Sequence, residues 1–171
     1  SFGSLGQLPP PTVEQFENLL AEQLRLMDSS LPIWVENESR KIGRLIIPDR
    51  FYDQMIKSPL LEIEKSEQER ILHIAEEYAQ LPEEDLIAAV KRLQKRLGGL
   101  RTQQAIEDIQ NKNHTSWITN LLIYYDKTYD FDLDRHEESK ILHLDFAGKS
   151  LEEQTQLLVK AKNKFYGIPQ N

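Results

Sequence analysis

A short apolar run that is followed at once by charged side chains constrains the fold of this chain most. Ile33, Trp34 and Val35 are consecutive, and Glu36–Arg40 follow directly with two carboxylates, a hydroxyl and a guanidinium. Buried parallel strands read as continuous apolar runs. In open α/β sheets the functional crevice lies beyond the carboxyl ends of such strands. The pattern therefore predicts a strand that ends either in a phosphate and Mg²⁺ site or in a charged, solvated turn.

The rest of the chain alternates short strands with helices. Residues 60–63 and 141–146 predict two more strands, and residues 82–139 predict a helical excursion between them. Pairs of capping residues predict helix starts at Thr12 with Gln15, Ser66 with Glu69 and Ser150 with Glu153. Pro48 predicts a short helix to about residue 57. Strands that alternate with helices indicate a parallel sheet. We expect a helix-rich α/β fold with a parallel sheet of three short strands.

One helical stretch carries a segregated positive charge. Leucines and valine recur at helical spacing and predict one apolar stripe, formed by Leu86, Val90, Leu93, Leu97 and Leu100. No acidic residue occurs from Leu86 to Gln104, although the chain has a net charge of −7. The cations of this stretch are Lys91, Arg92, Lys95, Arg96 and Arg101. They form either a solvated helix face or a surface that contacts phosphate or RNA.

Other side chains leave two interpretations open. Arg70 lies near a helix start, where a cation is unfavourable unless an anion is close; the alternative is an exposed pair with Glu67 or Glu69. Helix residues Trp117 to Tyr125 predict core packing, with base stacking by the tyrosines as the alternative. This helix is predicted to end near Lys127. Residues 128–139 predict an acidic connector that lacks the glycine turn of a calcium loop.

The overall composition excludes several classes of protein. The 171 residues suffice for one domain with a core. The net charge of −7 argues against a general nucleic-acid binder, though not against a local basic face. The absence of cysteine rules out thiolate chemistry within these residues. No membrane span or secretory signal is recognisable. We expect a soluble cytoplasmic protein, and the start at Ser1 without Met predicts a fragment or a processed chain.

Several common catalytic motifs are missing from the sequence. Neither a phosphate loop of the G-x-x-x-x-G-K-[ST] type nor a G-x-G-x-x-G turn occurs, and G-x-S-x-G and H-E-x-x-H are absent too. The four histidines show no metal-ligand spacing, and His143 predicts a structural role within a strand. The residues alone therefore offer an acidic turn and a basic helix without a complete catalytic set.

Taken in order, short stretches of this chain resemble bacterial tRNA 2-selenouridine synthases, in the later part of their P-loop domain. The resemblance is carried by many short motifs and covers nearly the whole chain. They are Ser1–Gly3, Phe16–Leu20, Trp34–Glu36, Glu38–Arg40, Ile42–Gly43, Glu76–Tyr78, Arg96–Gly98 with Arg101, Trp117, Leu121–Leu122, Tyr124–Asp126 and Tyr129. The family's rhodanese domain and phosphate loop have no counterpart here. The resemblance thus implies that residues 1–171 are the C-terminal portion of a P-loop nucleotide-binding domain, with 82–139 as a lid-like insertion.

The resemblance also implies an activity. The family replaces sulfur by selenium at 2-thiouridine of the tRNA wobble position, with selenophosphate and geranyl diphosphate as co-substrates. Residues 36–40 match the family's acidic turn, so Glu36 and Glu38 would bind Mg²⁺ while Ser39 and Arg40 would contact phosphate oxygens. Arg96 and Arg101 would clamp the diphosphate or the tRNA backbone, and Lys91, Arg92 and Lys95 would contact RNA. The isolated chain is expected to be inactive, because the groups that do the chemistry lie outside it.

Two other functions remain open from the sequence. The first is a non-catalytic RNA- or protein-binding helical module that uses the basic helix. The second is a nucleoside-kinase-like phosphotransferase whose phosphate loop is missing. RNA binding that falls steeply with salt and ignores diphosphates would favour the module, and nucleotide-stimulated phosphate transfer would favour the kinase.

Overall fold

The computed structural model describes residue 5 and residues 9–167. Its elements, in chain order, are α1 (Val13–Leu26), β1 (Lys41–Ile42), β2 (Leu45–Ile46), α2 (Asp49–Lys57), β3 (Leu60–Glu64), α3 (Glu67–Tyr78), α4 (Glu83–Arg92), α5 (Gln94–Leu97), α6 (Gly99–Gln110), α7 (His114–Leu133), a 3-10 turn (Glu138–Lys140), β4 (Ile141–Asp145) and α8 (Leu151–Tyr166). The family motif at Ser1–Gly3 lies outside the described residues. The fold is helix-rich α/β, as the sequence predicts.

A small parallel sheet joins two strands that are distant in the sequence. β3 and β4 pair in parallel, with Leu60 opposite Ile141 and Glu64 opposite Asp145. Leu144 of β4, Phe146 just after β4 and Ala161 of α8 are buried together, and Leu61 of β3 and Leu142 of β4 pack against them. The predicted strands at 60–63 and 141–146 are therefore confirmed, and so is their parallel arrangement.

A separate hairpin lies ahead of this sheet. β1 and β2 pair antiparallel, with Ile42 opposite Leu45. The two residues between them form the turn, and Gly43 has a φ of 62°. Tight hairpin turns require a positive φ at this first central position, which glycine adopts without steric cost. Ile47 continues from β2 into the interior and is buried.

The main core lies among α3, α4, α6 and α7. Its buried residues are Leu86, Ala89, Val90, Leu93, Leu97, Ala105, Ile109, Trp117, Ile118, Leu121 and Leu122. Four side chains of α3 pack against this cluster from one side: Ile71, Ile74, Ala75 and Tyr78. The capping boxes at Ser66 with Glu69 and at Ser150 with Glu153 are both formed. Local signals thus set the starts of α3 and α8 as expected.

The predicted first strand is not formed. Ile33, Trp34 and Val35 lie in irregular chain and are exposed, Trp34 at 55%. A strand needs a hydrogen-bonded neighbour, and in the described part of the chain β3 pairs with β4 alone. The parallel sheet therefore has two strands there, not three. α1 is formed without a fully buried residue, and Phe16, Leu20 and Leu24 are half-buried along one face.

Two further predictions need correction. Leu100 does not belong to the buried stripe: it is 83% exposed, because Gly98 has a φ of 83° and ends the turn that buries Leu97. α7 does not end near Lys127 but continues to Leu133, since no glycine or proline interrupts it. The helical stretch between β3 and β4 is confirmed, and a lid function for it stays a prediction.

The correction at Leu100 can be tested by a matched pair of substitutions. Leu97→Ala should lower the free energy of unfolding by about 2–5 kcal/mol, because it leaves a cavity in the core. Leu100→Ala removes the same atoms from an exposed position, so we expect a change within about 0.5 kcal/mol. Urea unfolding of the purified variants measures both values. Equal losses would contradict the break of the stripe at Gly98.

Candidate functional site

The acidic segment, defined as Glu36–Arg40, is held against the C-terminal end of α7. The Ser39 hydroxyl donates to Asp132 Oδ2 at 3.4 Å, and His136 Nε2 lies 3.1 Å from Asn37 Oδ1. Asp132 and His136 are more than ninety residues away in sequence. The sequence does not reveal these contacts. The segment is thus not a freely solvated turn, although no strand precedes it.

Negative charge accumulates at this segment. Glu38 is half-buried, and burial together with the negative charges of Glu36 and Asp132 raises the pKa of its carboxyl above 4.5. A divalent cation would relieve this repulsion, and carboxylate oxygens are the ligands that Mg²⁺ prefers. Glu36 and Glu38 thus supply carboxylates of the kind that binds a hard cation, and a Mg²⁺ role for them stays a prediction.

Arg40, the last residue of the acidic segment, points to a different partner. Its guanidinium forms an ion pair with Asp49 at the start of α2, and just over half of its side chain stays exposed. The backbone carbonyl of Arg40 accepts a hydrogen bond of 2.9 Å from the Ile47 N–H, which fixes its place beside the hairpin. Since Asp49 takes one N–H of the guanidinium, the other donors remain available to a ligand.

Arg70 has an anion beside it, which is one of the two alternatives that the sequence left open. Its guanidinium pairs with Asp126 on α7, with Nη1 3.3 Å from Oδ2 and Nη2 bonded to Oδ1. The pairing with Glu67 or Glu69 is therefore wrong; Glu69 instead caps α3 and accepts from the Gly148 N–H at 2.9 Å. This two-point pair links the start of α3 to the middle of α7.

Tyr129 lies on α7 three residues after Asp126, the partner of Arg70, and three residues before Asp132, which contacts the acidic segment. Desolvation and the nearby carboxylates of Glu36 and Glu38 raise the pKa of its hydroxyl, and Arg70 opposes this rise. Because 60% of Tyr129 is exposed, the nearby charges say more about the surroundings of its hydroxyl than burial does. The hydroxyl is within electrostatic reach of Glu36 and Glu38 in the acidic segment and of Arg70 on α3. Sequence reasoning noted Tyr129 only as part of a motif.

The predicted basic residues are all exposed. They lie from the last turn of α4 to the start of α6, and we call them the basic surface: Lys91, Arg92, Lys95, Arg96 and Arg101. Arg96 Nη1 donates to the Tyr124 hydroxyl at 2.7 Å, and Asn120 Nδ2 donates to the Arg101 carbonyl at 3.0 Å. Within the described residues, the side chains of Lys91, Arg92 and Lys95 have no bonded partner. Their cations are therefore available to a polyanion.

A groove of about 540 Å³ runs beside the basic surface, between α6 and α7. Arg101, Gln104 and Asn120 line it with donor groups, and Leu100 and Ile123 add apolar surface. Asp108 lies at the groove and is held by the Ser116 hydroxyl at 2.7 Å. The tyrosine prediction is correct in part, because Tyr124 and Tyr125 pack against the core cluster while remaining partly exposed.

The acidic segment and the basic surface contact α7 at different levels along its axis. Asp132, which bonds Ser39, lies eight residues beyond Tyr124, which bonds Arg96. At 1.5 Å and 100° per residue, these two contacts are roughly 12 Å apart along the helix and about 80° apart around it. No hydrogen bond or ion pair joins the two groups in the part of the chain that the structure describes. A role of Arg96 and Arg101 at the phosphate site stays a prediction.

One further cluster was missed by sequence reasoning. Glu62, Glu64 and His143 offer ligand atoms within 4.8 Å of one another on an exposed sheet face. His143 Nδ1 lies 2.6 Å from Glu62 Oε2 and 3.5 Å from Glu64 Oε1. Strand pairing creates the cluster, since Glu62 lies directly opposite His143. Its spacing in sequence gives no signal, and the His143 side chain is 62% exposed.

Comparison with known proteins identifies the family. A model of the tRNA 2-selenouridine synthase AAA domain matches residues 1–155. The chain belongs to this family. Three relatives are tRNA 2-selenouridine synthases: one from Marinobacter nauticus is 34% identical over 75% of this chain, one from Alcanivorax borkumensis 32% over 77%, and one from a Sulfurovum species 32% over 78%. The resemblance seen in the sequence is thereby confirmed.

The family match covers a part of these relatives. This chain spans 44%, 46% and 45% of the length of the same three proteins. No solved structure matches the chain. Among the described residues, no helix combines the length and the apolar character needed to cross a bilayer.

The raised pKa of Glu38 predicts a pH-dependent effect of its removal. Below about pH 4.5 both folded and unfolded chains hold the proton; as the pH rises, the folded chain must ionise a half-buried carboxyl and loses stability. Glu38→Gln should therefore raise the melting temperature near pH 7 and have little effect near pH 4. Thermal unfolding followed by circular dichroism measures both.

Glu69→Gln is the control of opposite sign. Hydrogen bonds from the Ser66 side chain, then from the Gly148 and Ser66 N–H groups, lower the pKa of Glu69. Its stabilising contribution is present near pH 7 and lost as the pH falls through the lowered pKa. The Glu69→Gln variant should accordingly melt at a lower temperature near pH 7, with a smaller difference near pH 4. The same pH trend in both variants would refute the assignment for Glu38.

Proposed function

We propose that this chain is part of a transferase that replaces sulfur by selenium at 2-thiouridine of the tRNA wobble position. The match of residues 1–155 to the AAA domain of this family carries the proposal. Selenophosphate and geranyl diphosphate are the proposed co-substrates, and the cytoplasm is the proposed location. The chain contributes a site for the phosphorylated donor at the acidic segment and a tRNA-binding area at the basic surface.

The chain spans less than half the length of its relatives. We propose that the rest of the enzyme, a rhodanese domain and a nucleotide-binding phosphate loop, corresponds to the part of the relatives that this chain does not match. Two features support this arrangement: Ile33–Val35 are exposed and apolar, and β3 has a strand partner on one side only within the described chain. A strand that precedes the phosphate loop would fit between them. Residues 1–171 would then be the C-terminal portion of the P-loop domain, inactive by itself.

The acidic segment is proposed to bind the donor together with Mg²⁺. Glu36 and Glu38 would hold the cation through hard oxygen ligands. Ser39 and Arg40 would contact phosphate oxygens, because Ser39 can still accept a hydrogen bond and Arg40 keeps free N–H donors. Fixed donors and cations of this kind stabilise charge that develops during group transfer. The proposal is supported by the contacts that hold the segment on α7.

The basic surface is proposed to contact the tRNA backbone. Lys91, Arg92 and Lys95 are exposed cations, and Arg96 and Arg101 flank the neighbouring groove. Because no hydrogen bond or ion pair of the described residues joins these two arginines to the acidic segment, we assign them to tRNA rather than to the diphosphate. Arginine binds phosphate oxygens with two parallel hydrogen bonds and therefore suits such a role.

Binding of tRNA should depend on the basic surface. In the full-length protein, replacing Lys91, Arg92 and Lys95 together by Gln should weaken tRNA binding and reduce the slope of log K against log salt by about 2–3, since each phosphate contact contributes nearly one unit. Replacing Lys160, Lys162 and Lys164 on α8 by Gln removes the same charge elsewhere and should leave the slope unchanged. Filter binding at several salt concentrations measures this. Equal slopes for both variants would refute the assignment.

Selenium transfer should depend on the two carboxylates of the acidic segment. Loss of even an outer-shell partner of a bound metal lowers the affinity for that metal by about 10- to 100-fold. The double variant Glu36→Gln with Glu38→Gln should therefore need about tenfold more Mg²⁺, or a larger excess, to reach its half-maximal rate. Mass spectrometry of the tRNA nucleosides follows 2-selenouridine formation. The control is Glu17→Gln with Glu22→Gln, two exposed acids of α1. An unchanged Mg²⁺ requirement would refute the proposal that Glu36 and Glu38 bind the metal.

Two alternatives rest on specific features. The exposed basic surface would also suit a non-catalytic RNA- or protein-binding module, and wild-type full-length protein that binds tRNA without forming 2-selenouridine would favour it. A nucleoside-kinase-like phosphotransferase is the other alternative, supported by the helices between β3 and β4. Transfer of the terminal phosphate of ATP or GTP to a nucleoside would favour that function.

A further inference from the structure

We propose that Arg70 binds the phosphoryl group of the donor, with Asp126 as the residue that positions it and Tyr129 as a second contact. This assignment rests on the proposed function only in naming the donor. The ligand class itself, a phosphate or diphosphate, follows from the chemistry of the site. Arg70 was not among the phosphate residues that the sequence suggested.

The position of Arg70 is that of a ligand-binding residue in an α/β fold. α3 begins directly after β3, so Arg70 lies just beyond the carboxyl end of a parallel strand. The loop after β4 reaches the same place, since the Gly148 N–H donates to Glu69 Oε1 at 2.9 Å. Ligands in open α/β sheets bind in the crevice outside these strand ends. Arg70 therefore stands at the functional edge of the sheet.

The guanidinium of Arg70 is oriented and only partly satisfied. Asp126 takes two of its five N–H donors, through Nη1 and Nη2. The described residues supply no other acceptor, and about a third of the side chain is exposed. A cation at the start of a helix opposes the helix dipole, so a second anion beside it would be favourable. Three directed N–H groups at this place suit phosphate oxygens.

The neighbours of Arg70 match what a metal-bound phosphate needs. Asp126, Tyr129 and Asp132 share one side of α7, and Asp132 anchors the acidic segment through Ser39. Tyr129 is in electrostatic reach of Glu36 and Glu38 on one side and of Arg70 on the other. A phosphate that lies over Tyr129 would thus meet a cation from α3 and a Mg²⁺ site from the acidic segment. The basic surface offers no such combination.

The simpler alternative is that Arg70 and Asp126 only tie α3 to α7. Exchange of the two charges separates these roles, because Arg70→Asp with Asp126→Arg restores the ion pair but moves the cation from α3 to α7. A structural tie should be restored by the exchange. A phosphate-binding arginine should not be.

The experiment uses the full-length protein, Mg²⁺ and inorganic pyrophosphate, with binding measured by calorimetry and folding by thermal unfolding. Arg70→Ala should weaken pyrophosphate binding by roughly 10- to 100-fold, as for loss of a charged hydrogen-bond donor. The exchanged variant should recover the melting temperature but not the affinity. Arg70→Lys keeps the charge and the fold, and should still lose several-fold in affinity because it cannot bind with a planar fork. Arg25→Ala, on α1, is the control.

Each outcome decides the proposal. Recovery of affinity in the exchanged variant, wild-type affinity in Arg70→Ala, or no pyrophosphate binding by the wild-type protein would overturn it. If Arg70→Ala does not fold, Arg70→Lys decides: unchanged affinity overturns the proposal, and a several-fold loss supports it. An assay of 2-selenouridine formation distinguishes a failure of this phosphate site from a failure of the proposed function. Wild-type protein that binds pyrophosphate through Arg70 without forming 2-selenouridine would refute the function alone.

Discussion

Burial of the first half of α7 is the constraint on which the candidate site depends. Trp117, Ile118, Leu121 and Leu122 are enclosed among the other helices, so neither the direction nor the rotation of α7 is free. Because an α-helix turns by a fixed angle per residue, this packing also sets where the second half of α7 points. Tyr129 and the residues around it thereby meet α3 and the acidic segment. The site is a consequence of core packing more than of any local motif.

Local signals predicted the elements well. Ser66 with Glu69 and Ser150 with Glu153 formed capping boxes because each side chain bonds a backbone group within three residues. The strands at 60–63 and 141–146 were recognisable as short apolar runs flanked by helices, and their parallel pairing followed from that alternation. The family resemblance was likewise readable, since it depends on the order of short motifs.

The sequence could not predict the partners. Arg70 pairs with Asp126, which is 56 residues away, although Glu67 and Glu69 are its neighbours in sequence and lie in the same helical turn. The run Ile33–Val35 has the composition of a strand, but a strand also needs a hydrogen-bonded neighbour, and composition does not report whether one exists. α7 continues past Lys127 to Leu133, since charged residues such as Asp126 and Lys127 do not by themselves end a helix and no glycine or proline follows them there.

The acidic segment and the basic surface are separate in the sequence, yet both contact α7. The acidic segment bonds Asp132 near the end of this helix, and Arg96 of the basic surface bonds Tyr124 eight residues earlier. α7 therefore sets the separation of the two surfaces, roughly 12 Å along the helix axis between these contacts. Surfaces that differ in charge attract different ligands, so one well-packed helix can hold two distinct binding surfaces at a fixed spacing.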